Sequence, residues 1–308
     1  MKRSYRCDMN QELFVPSDIP ANVRETFIKN YQRITKKTDR LFMFVADHKF
    51  EHLNDDFFGP EISEQAQKPE HIFQIAQMPE IGAFATHPGL IARYAHAYPS
   101  IAYVMKLNGK TNANAHARWW LKPFISDPFS PQLWSVEQAQ TIANAARISL
   151  CGVGMTVYLG SRYESTMLEN AARMVYDAHQ QGLIAMIWIY LRGRAIRSPN
   201  DGHMLAGAAG IAHSLGADFV KIHPPQGTKK NSSLHQLKEI IEAAGNTGII
   251  CSGGTRVDTN ILLARIYEQL TQGTRGCAIG RNLFQLPLSH AQKMAKAISD
   301  IVYYKTSV

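Results

Sequence analysis

No stretch of the 308-residue chain approaches about 18 uninterrupted apolar residues, so none of it reads as a membrane-spanning helix. Lys2, Arg3 and Arg6 are not followed by an apolar segment, which argues against a secretory leader and makes a soluble, cytoplasmic protein the expectation. Cysteine is scarce. Cys7, Cys151, Cys251 and Cys277 show no CxxC or Cys/His metal spacing, and three of them sit in apolar or Gly-rich runs. They are expected to be buried, reduced thiols rather than a disulfide framework or a metal site. No internal repeat, low-complexity tract or linker interrupts the chain, so one catalytic domain is expected over residues 41–308, preceded by an arm and capping helix over 1–40. A long basic run is also missing. The 33 Lys and Arg against 25 acids give +8, spread along the chain. That suits anionic ligands, or ordinary solubility, and gives no reason to expect a nucleic-acid partner.

What the chain does have is alternation. After an irregular segment over 1–20, residues 21–37 show helical spacing through Val23, Phe27, Tyr31 and Ile34. Short apolar runs of strand length then recur at 41–46, 81–85, 101–107, 152–158, 183–190, 219–222, 248–251 and 276–279. Helical patterns separate or follow them at 69–77, 88–97, 135–149 (with Ser135 as its cap), 161–181, 201–214, 234–244, 257–270 and 289–301. The stretch after Asp47-His48 that holds Glu51, His52, Asp55, Asp56 and Gly59-Pro60 reads as a polar loop, and 108–131, with Trp119-Trp120, as a helical excursion plus loop. Eight strands alternating with helices predict a parallel closure, a single α/β (β/α)8 TIM barrel with an N-terminal helical extension. A doubly wound open sheet is the alternative, but Asp47-His48-Lys49 stands where its glycine fingerprint would follow the first strand.

A barrel of this kind assembles its site from the C-terminal ends of its strands. Those ends hold Asp47 and His48, Lys106 and Asn108, Trp188, Tyr190 and Arg192, Lys221 and His223, then Ser252-Gly253-Gly254 and Gly280-Arg281-Asn282. Lys221 lies inside an apolar strand, where a charge is costly. Either it snorkels to a carboxylate such as Asp218, or desolvation frees a neutral amine to attack a carbonyl and form a Schiff base. The two glycine-rich turns fall in the loops after strands seven and eight, the usual phosphate cradle of this architecture. Structural readings stand beside these: Asp47 as a helix cap, His48 and His223 as hydrogen-bonded core histidines, Trp188 as core or pocket wall, and Arg192 paired with an acid. His48, Glu51 and His52 lack fixed spacing, so no metal and no cofactor is expected.

Six segments in order give the chain a resemblance. Val45-Ala46-Asp47-His48, Gly160-Ser161-Arg162-Tyr163-Glu164, Trp188-Ile189-Tyr190-Leu191-Arg192-Gly193, Gly216-Ala217-Asp218-Phe219-Val220-Lys221, Ser252-Gly253-Gly254 and Gly280-Arg281-Asn282 resemble the archaeal-type class I aldolases. These are the DhnA family of Schiff-base fructose-bisphosphate aldolases, whose relatives include aminodideoxyheptulosonate synthases and the autoinducer-2 phosphate thiolase. The resemblance implies that Lys221 forms the Schiff base, Tyr190 is the general acid/base, Asp47 orients substrate and lysine, and Trp188 lines the pocket. It places Ser252, Gly253, Gly254, Gly280 and Arg281 on the phosphate. His48 and Lys106 are further candidates for substrate contact. The implied reaction is cleavage or formation of a C–C bond in a phosphorylated keto sugar, foremost fructose 1,6-bisphosphate, with a homo-oligomer expected and no membrane or nucleic-acid partner. A transaldolase- or thiolase-type reaction and a non-catalytic phosphometabolite-binding barrel are the alternatives. Lys49 where the family has glycine, Leu191 where it has proline, and His223-Pro224-Pro225 after the lysine depart from the pattern. They are expected to bear on substrate choice before mechanism.

Overall fold

The computed structural model describes residues 13–113, 127–227 and 232–304. Cys7, most of the N-terminal segment read over 1–20, and the Trp119-Trp120 part of the excursion lie outside these residues. Eight parallel strands close in sequence order, β1 pairing with both β2 and β8. They are β1 (Leu41–Val45), β2 (Ala83–Thr86), β3 (Tyr103–Lys106), β4 (Leu150–Leu159), β5 (Ile184–Leu191), β6 (Phe219–Ile222), β7 (Gly248–Ser252) and β8 (Gly276–Ile279). The helices are α1 (Arg24–Ile34), α2 (His48–Glu51), α3 (Pro69–Ala76), α4 (Pro88–Tyr94), α5 (Val136–Ala146), α6 (Glu164–Gln180), α7 (Gly202–Ser214), α8 (Ser233–Ala244), α9 (Thr259–Thr271), α10 (Arg281–Phe284) and α11 (Leu288–Tyr304). The expected TIM barrel is what forms.

Its boundaries follow local chemistry. Ser135 caps α5 with a reciprocal box, its Oγ accepting from Gln138 N at 3.1 Å while Gln138 Oε1 accepts from Ser135 N at 2.9 Å. The helix ends three residues before the expected 149, because Arg147 turns left-handed at φ 55° and β4 must begin at Leu150. Where a polar loop is expected after Asp47-His48, the chain first makes a one-turn helix, α2, too short to show helical periodicity. The same is true of α10, within what reads as a glycine turn.

Successive strand residues face opposite sides, so one set lines the barrel and the other meets the helices. The inner cluster holds Leu41, Met43 and Val45 of β1, Ile184, Met186 and Trp188 of β5, and Phe219 of β6. Ile19 and the α1 residues Phe27, Tyr31 and Ile34 belong to that same cluster. The extension therefore plugs the N-terminal end of the barrel, with the Tyr31 ring stacked 5.5 Å from Phe219. Burying each of these side chains stabilises the plug by roughly 1.5–3 kcal/mol. The outer-facing residues, Val220 and Ile222 among them, pack in the larger cluster beneath the helices. Cys151, Cys251 and Cys277 are buried free thiols, and burial pushes Cys151 up to about 11 and Cys251 to about 12. No helix among the described residues is long and apolar enough to cross a membrane.

Candidate active site

Continuing the inward parity toward the C-terminal ends turns the lining from apolar to charged. After Val45 it reaches Asp47; after Val104, Lys106; after Trp188, Tyr190; after Phe219, Lys221; after Ile250, Ser252. The top layer of the barrel interior is thus the pooled set of strand-end residues.

Two lysines share this layer and differ in their partners. Lys106, 1% exposed, has Nζ 2.7 Å from Asp47 Oδ2 and also bonds the Glu51 carboxylate. Burial alone would favour its neutral form, but Asp47 and Glu51 override that and hold Lys106 above its ordinary range, as an ammonium. Lys221, 7% exposed, donates from Nζ to Tyr190 Oη at 3.2 Å and has no carboxylate within 4.0 Å among the described residues. The Trp188 ring lies between them, its centroid 5.9 Å from Lys106 Nζ and 5.8 Å from Lys221 Nζ. That ring is fully buried and fits because position 154 of β4 is glycine; a Cβ there would overlap the indole.

Asp47 occupies the N-cap position of α2, yet its side chain makes no cap bond. It turns to Lys106 instead, so the helix-cap reading fails. Burial works against the charged carboxylate, but Lys106, then His48 and Lys221, outweigh it and hold Asp47 well below the usual carboxylate range. Asp218 is no partner for Lys221 either. Its Oδ2 accepts from Ala185 N at 2.8 Å and lies 3.3 Å from His179 Nε2, at the other end of the barrel. Asn108 is structural: its amide donates to Ser130 O and Thr156 O at 3.0 and 2.8 Å, and Oδ1 accepts from Thr156 N at 2.7 Å. Among the described residues Arg192 faces rings rather than an acid, its guanidinium 5.4 Å from the Tyr190 centroid.

The loops after β7 and β8 are tied together by Asn282, whose Nδ2 donates to Gly253 O and Thr255 O at 3.4 and 3.2 Å while Oδ1 accepts from Val257 N at 3.0 Å. Gly253 N–H is committed to Ala278 O at 3.0 Å, so it offers no donor to a ligand. Gly254 carries φ 71°, and a Cβ there would meet only open space. Gly280 is required for a different reason, since a Cβ would come within 2.6 Å of His48 Cε1 and 2.8 Å of Val45 O. Arg281 leans toward Asp56, Nη1 to Oδ1 being 3.7 Å, and its buried Nε has no hydrogen-bond partner. The fork is positioned without being satisfied.

His48 sits under this cradle, 5.3 Å from the Phe284 ring. Its Nδ1 is 3.5 Å from Asp47 Oδ1 without the alignment of a hydrogen bond. Burial pushes its pKa down to about 4, against the pull of Asp47, so the ring is neutral and the contact is not an ion pair at neutral pH. His223 lies 2.6 Å, Nδ1 to Oγ, from Ser252. A cavity of about 740 Å³ reaches this end of the barrel, its wall including Tyr190, Arg192, His223, Ser252, Gly253 and Gly254, though not Lys221 itself. Among the described residues no three His, Cys, Asp or Glu side chains are grouped to hold a metal ion.

The residue types at this mouth, a lysine hydrogen-bonded to a phenol beside a lysine fixed by two carboxylates, are those of amine–carbonyl chemistry. Comparison with known proteins gives the lineage. The DeoC/LacD family of aldolases matches residues 41–286, and a Methanocaldococcus jannaschii protein named fructose-bisphosphate aldolase/6-deoxy-5-ketofructose 1-phosphate synthase is 42% identical over 292 residues, 94% of this chain and 90% of that one. The chain belongs to the DeoC/LacD aldolase family. Among solved members, a fructose-bisphosphate aldolase from Slackia heliotrinireducens superposes with a TM-score of 0.91 at 42% identity, over 96% of this chain and 91% of the other. An archaeal fructose-1,6-bisphosphate aldolase whose catalytic lysine is covalently bound to the carbinolamine intermediate of its substrate gives 0.75 at 27% identity, covering 90% and 99%.

Glu51 is the member of this DeoC/LacD site that sequence reasoning did not single out as a partner for Lys106. It sits four residues after Asp47, and α2 carries it onto the same ammonium. Four-residue spacing after a strand-end Asp was the available signal, but it requires knowing that a helical turn follows the strand.

Proposed function

We propose that this aldolase is a class I, Schiff-base enzyme that cleaves and forms a C–C bond in a phosphorylated keto sugar, with fructose 1,6-bisphosphate as substrate. The observation that carries the reading is the unequal partnering of the two buried lysines: Lys106 is held charged by two carboxylates, while Lys221 bonds the Tyr190 phenol and has no carboxylate within 4.0 Å among the described residues. The names of the Methanocaldococcus and Slackia relatives support the substrate.

In this mechanism Lys221 Nζ attacks the C2 carbonyl to give a carbinolamine. Tyr190 donates its phenolic proton to the departing hydroxyl, which leaves as water and gives the iminium. The phenolate then takes the C4 hydroxyl proton, the C3–C4 bond breaks, and its electron pair moves through the enamine to the iminium nitrogen. Glyceraldehyde 3-phosphate leaves. Tyr190 returns the proton to C3, and water releases dihydroxyacetone phosphate. Asp47, fixed by Lys106, orients the substrate hydroxyls and the amine. Trp188 and His48 form the pocket wall, and Ser252, Gly254, Gly280 and Arg281 hold the phosphate, with Gly253 shaping the turn. The enzyme is read as a cytoplasmic homo-oligomer, which light scattering of the purified protein tests.

The double name of the Methanocaldococcus relative favours a second reading, transfer of the same enamine to a different acceptor aldehyde. An assay on fructose 1,6-bisphosphate, with triose phosphates as the measured products, tests the main reading. Turnover only in the presence of an added aldehyde acceptor replaces it with transfer.

A further inference from the structure

His223 takes no part in the steps above, yet its surroundings are built. It follows β6 by one residue and precedes Pro224-Pro225, which fix φ and offer no backbone N–H. Its Nδ1 is 2.6 Å from Ser252 Oγ, and its ring centroid is 5.0 Å from that of Tyr190. Nε2 has no hydrogen-bond partner among the described residues, and the side chain lines the same cavity as Ser252, Gly254 and Arg192. His71, by contrast, spends Nε2 on backbone, 3.1 Å from both Phe284 O and Leu286 O, and its unpartnered Nδ1 is buried, whereas the nitrogen left over on His223 belongs to a side chain on the cavity wall.

The charged and titratable groups facing His223 are Lys221 on its own strand, Tyr190 and Arg192 from β5, and Arg281 from α10. No carboxylate lies within 4.0 Å of its ring nitrogens among the described residues. Burial first, then Lys221, Arg192 and Arg281, push its pKa down to about 4. With the ring neutral, one nitrogen carries hydrogen. A Ser252 hydroxyl donating to Nδ1 leaves that hydrogen on Nε2.

A phosphate ester seated on Arg281 and the Ser252–Gly254 turn would bring up to two negative charges among these cations, reversing the field at the imidazole. We propose that His223 is the third side chain of this cradle: pinned at Nδ1 by Ser252, it turns Nε2–H to the phosphate and becomes an imidazolium as the anion binds. The added proton comes from solvent and goes to Nδ1, which becomes the donor to Ser252 Oγ. The serine hydrogen is then free for a phosphate oxygen. The idea rests on reading the mouth as a phosphate site and adds the group that completes it. It also gives a chemical role to the segment where this chain departs from the family pattern.

Glycerol phosphate, which has the phosphate and no carbonyl, tests it apart from Schiff-base chemistry. With ring-¹⁵N-labelled histidine in the full chain near pH 7, one of the twelve histidines should pass from a neutral to an imidazolium pattern on saturation. His223→Gln should remove that signal, and Ser252→Ala, which deletes the Nδ1 partner, should shift it, so the assignment does not hang on one variant. Calorimetry in buffers of different ionisation enthalpy should show the wild type taking up about one more proton per bound ligand than His223→Gln. Binding with every histidine unchanged and equal proton counts would overturn the role of His223 while leaving the cradle intact. Failure of glycerol phosphate to bind at all would overturn both.

Discussion

The two ends of this barrel use the same residue types to opposite effect. At the N-terminal end, α1 and Ile19 seal the interior with apolar side chains, and buried His179 places Nδ1 2.7 Å from Asp18 and Nε2 3.3 Å from Asp218. Burial disfavours its cation, but the two carboxylates raise its pKa, so both ring nitrogens can carry protons. At the C-terminal end, burial is the largest influence on His48, His87 and His223; it outweighs the pull of Asp47 on the first two, cations add to it, and each is pushed down to about 4. Burial alone therefore says little about a titratable group. Carboxylates at both ring nitrogens set His179 apart, and at the C-terminal end Lys221 has no carboxylate within 4.0 Å among the described residues.

Breaking the balance at that end should cost most at Lys106. Lys106→Met leaves Asp47 and Glu51 enclosed without their cation, and urea unfolding should show a loss of about 3–5 kcal/mol. Adding Glu51→Gln should recover part of it, because the two changes touch one ion cluster. Additive losses would mean that Glu51 does not share the ammonium.

Tyr190→Phe should lower turnover by roughly 10²-fold or more. Borohydride should still trap dihydroxyacetone phosphate on the variant; near-normal turnover would reduce Tyr190 to packing. Arg281→Ala should raise the Michaelis constant for a phosphorylated substrate by roughly 10- to 150-fold, the equivalent of a charge-assisted bond of about 1.5–3 kcal/mol. Its unphosphorylated analogue should be little affected. Equal losses on both would make the Asp56 contact the whole role of Arg281.

The smallest expected effect sharpens the contrast between the ends through pH. His179 has a raised folded pKa, so its stabilising contribution is complete below the unfolded value of about 6.5 and is lost as pH rises through the folded value. The C-terminal histidines have depressed folded values, so stability falls as pH drops from about 6.5 toward 4. His179→Gln should flatten the alkaline side of a stability–pH curve and leave the acid side unchanged; a curve altered only on the acid side would contradict the assignment.

Much of this was legible in the sequence for a physical reason. A closed parallel sheet enforces period-two alternation in every strand, so Asp47, Lys106, Tyr190, Lys221 and Ser252 can be pooled from the sequence. β6 and β8 begin and end at the expected residues because Gly216 and the glycine-rich turns bound their short apolar runs. Pairings were not legible. Asp218 immediately precedes the strand of Lys221 and is one of the carboxylates it could pair with on sequence grounds, but the fold points it to the opposite end. The pairing of Glu51 with Lys106 leaves no mark in the sequence, because α2 spans a single turn and shows no periodicity. Gly253 looked like an anion-binding donor, but its N–H is used by the barrel's own ladder.

The central claim is that Lys221, and not Lys106, forms the covalent adduct. Incubating the protein with dihydroxyacetone phosphate, reducing with borohydride and mapping the peptides measures it directly. The account predicts one added triose phosphate on the peptide containing Lys221, with Lys106 unmodified. Label on Lys106 with Lys221 untouched would contradict it.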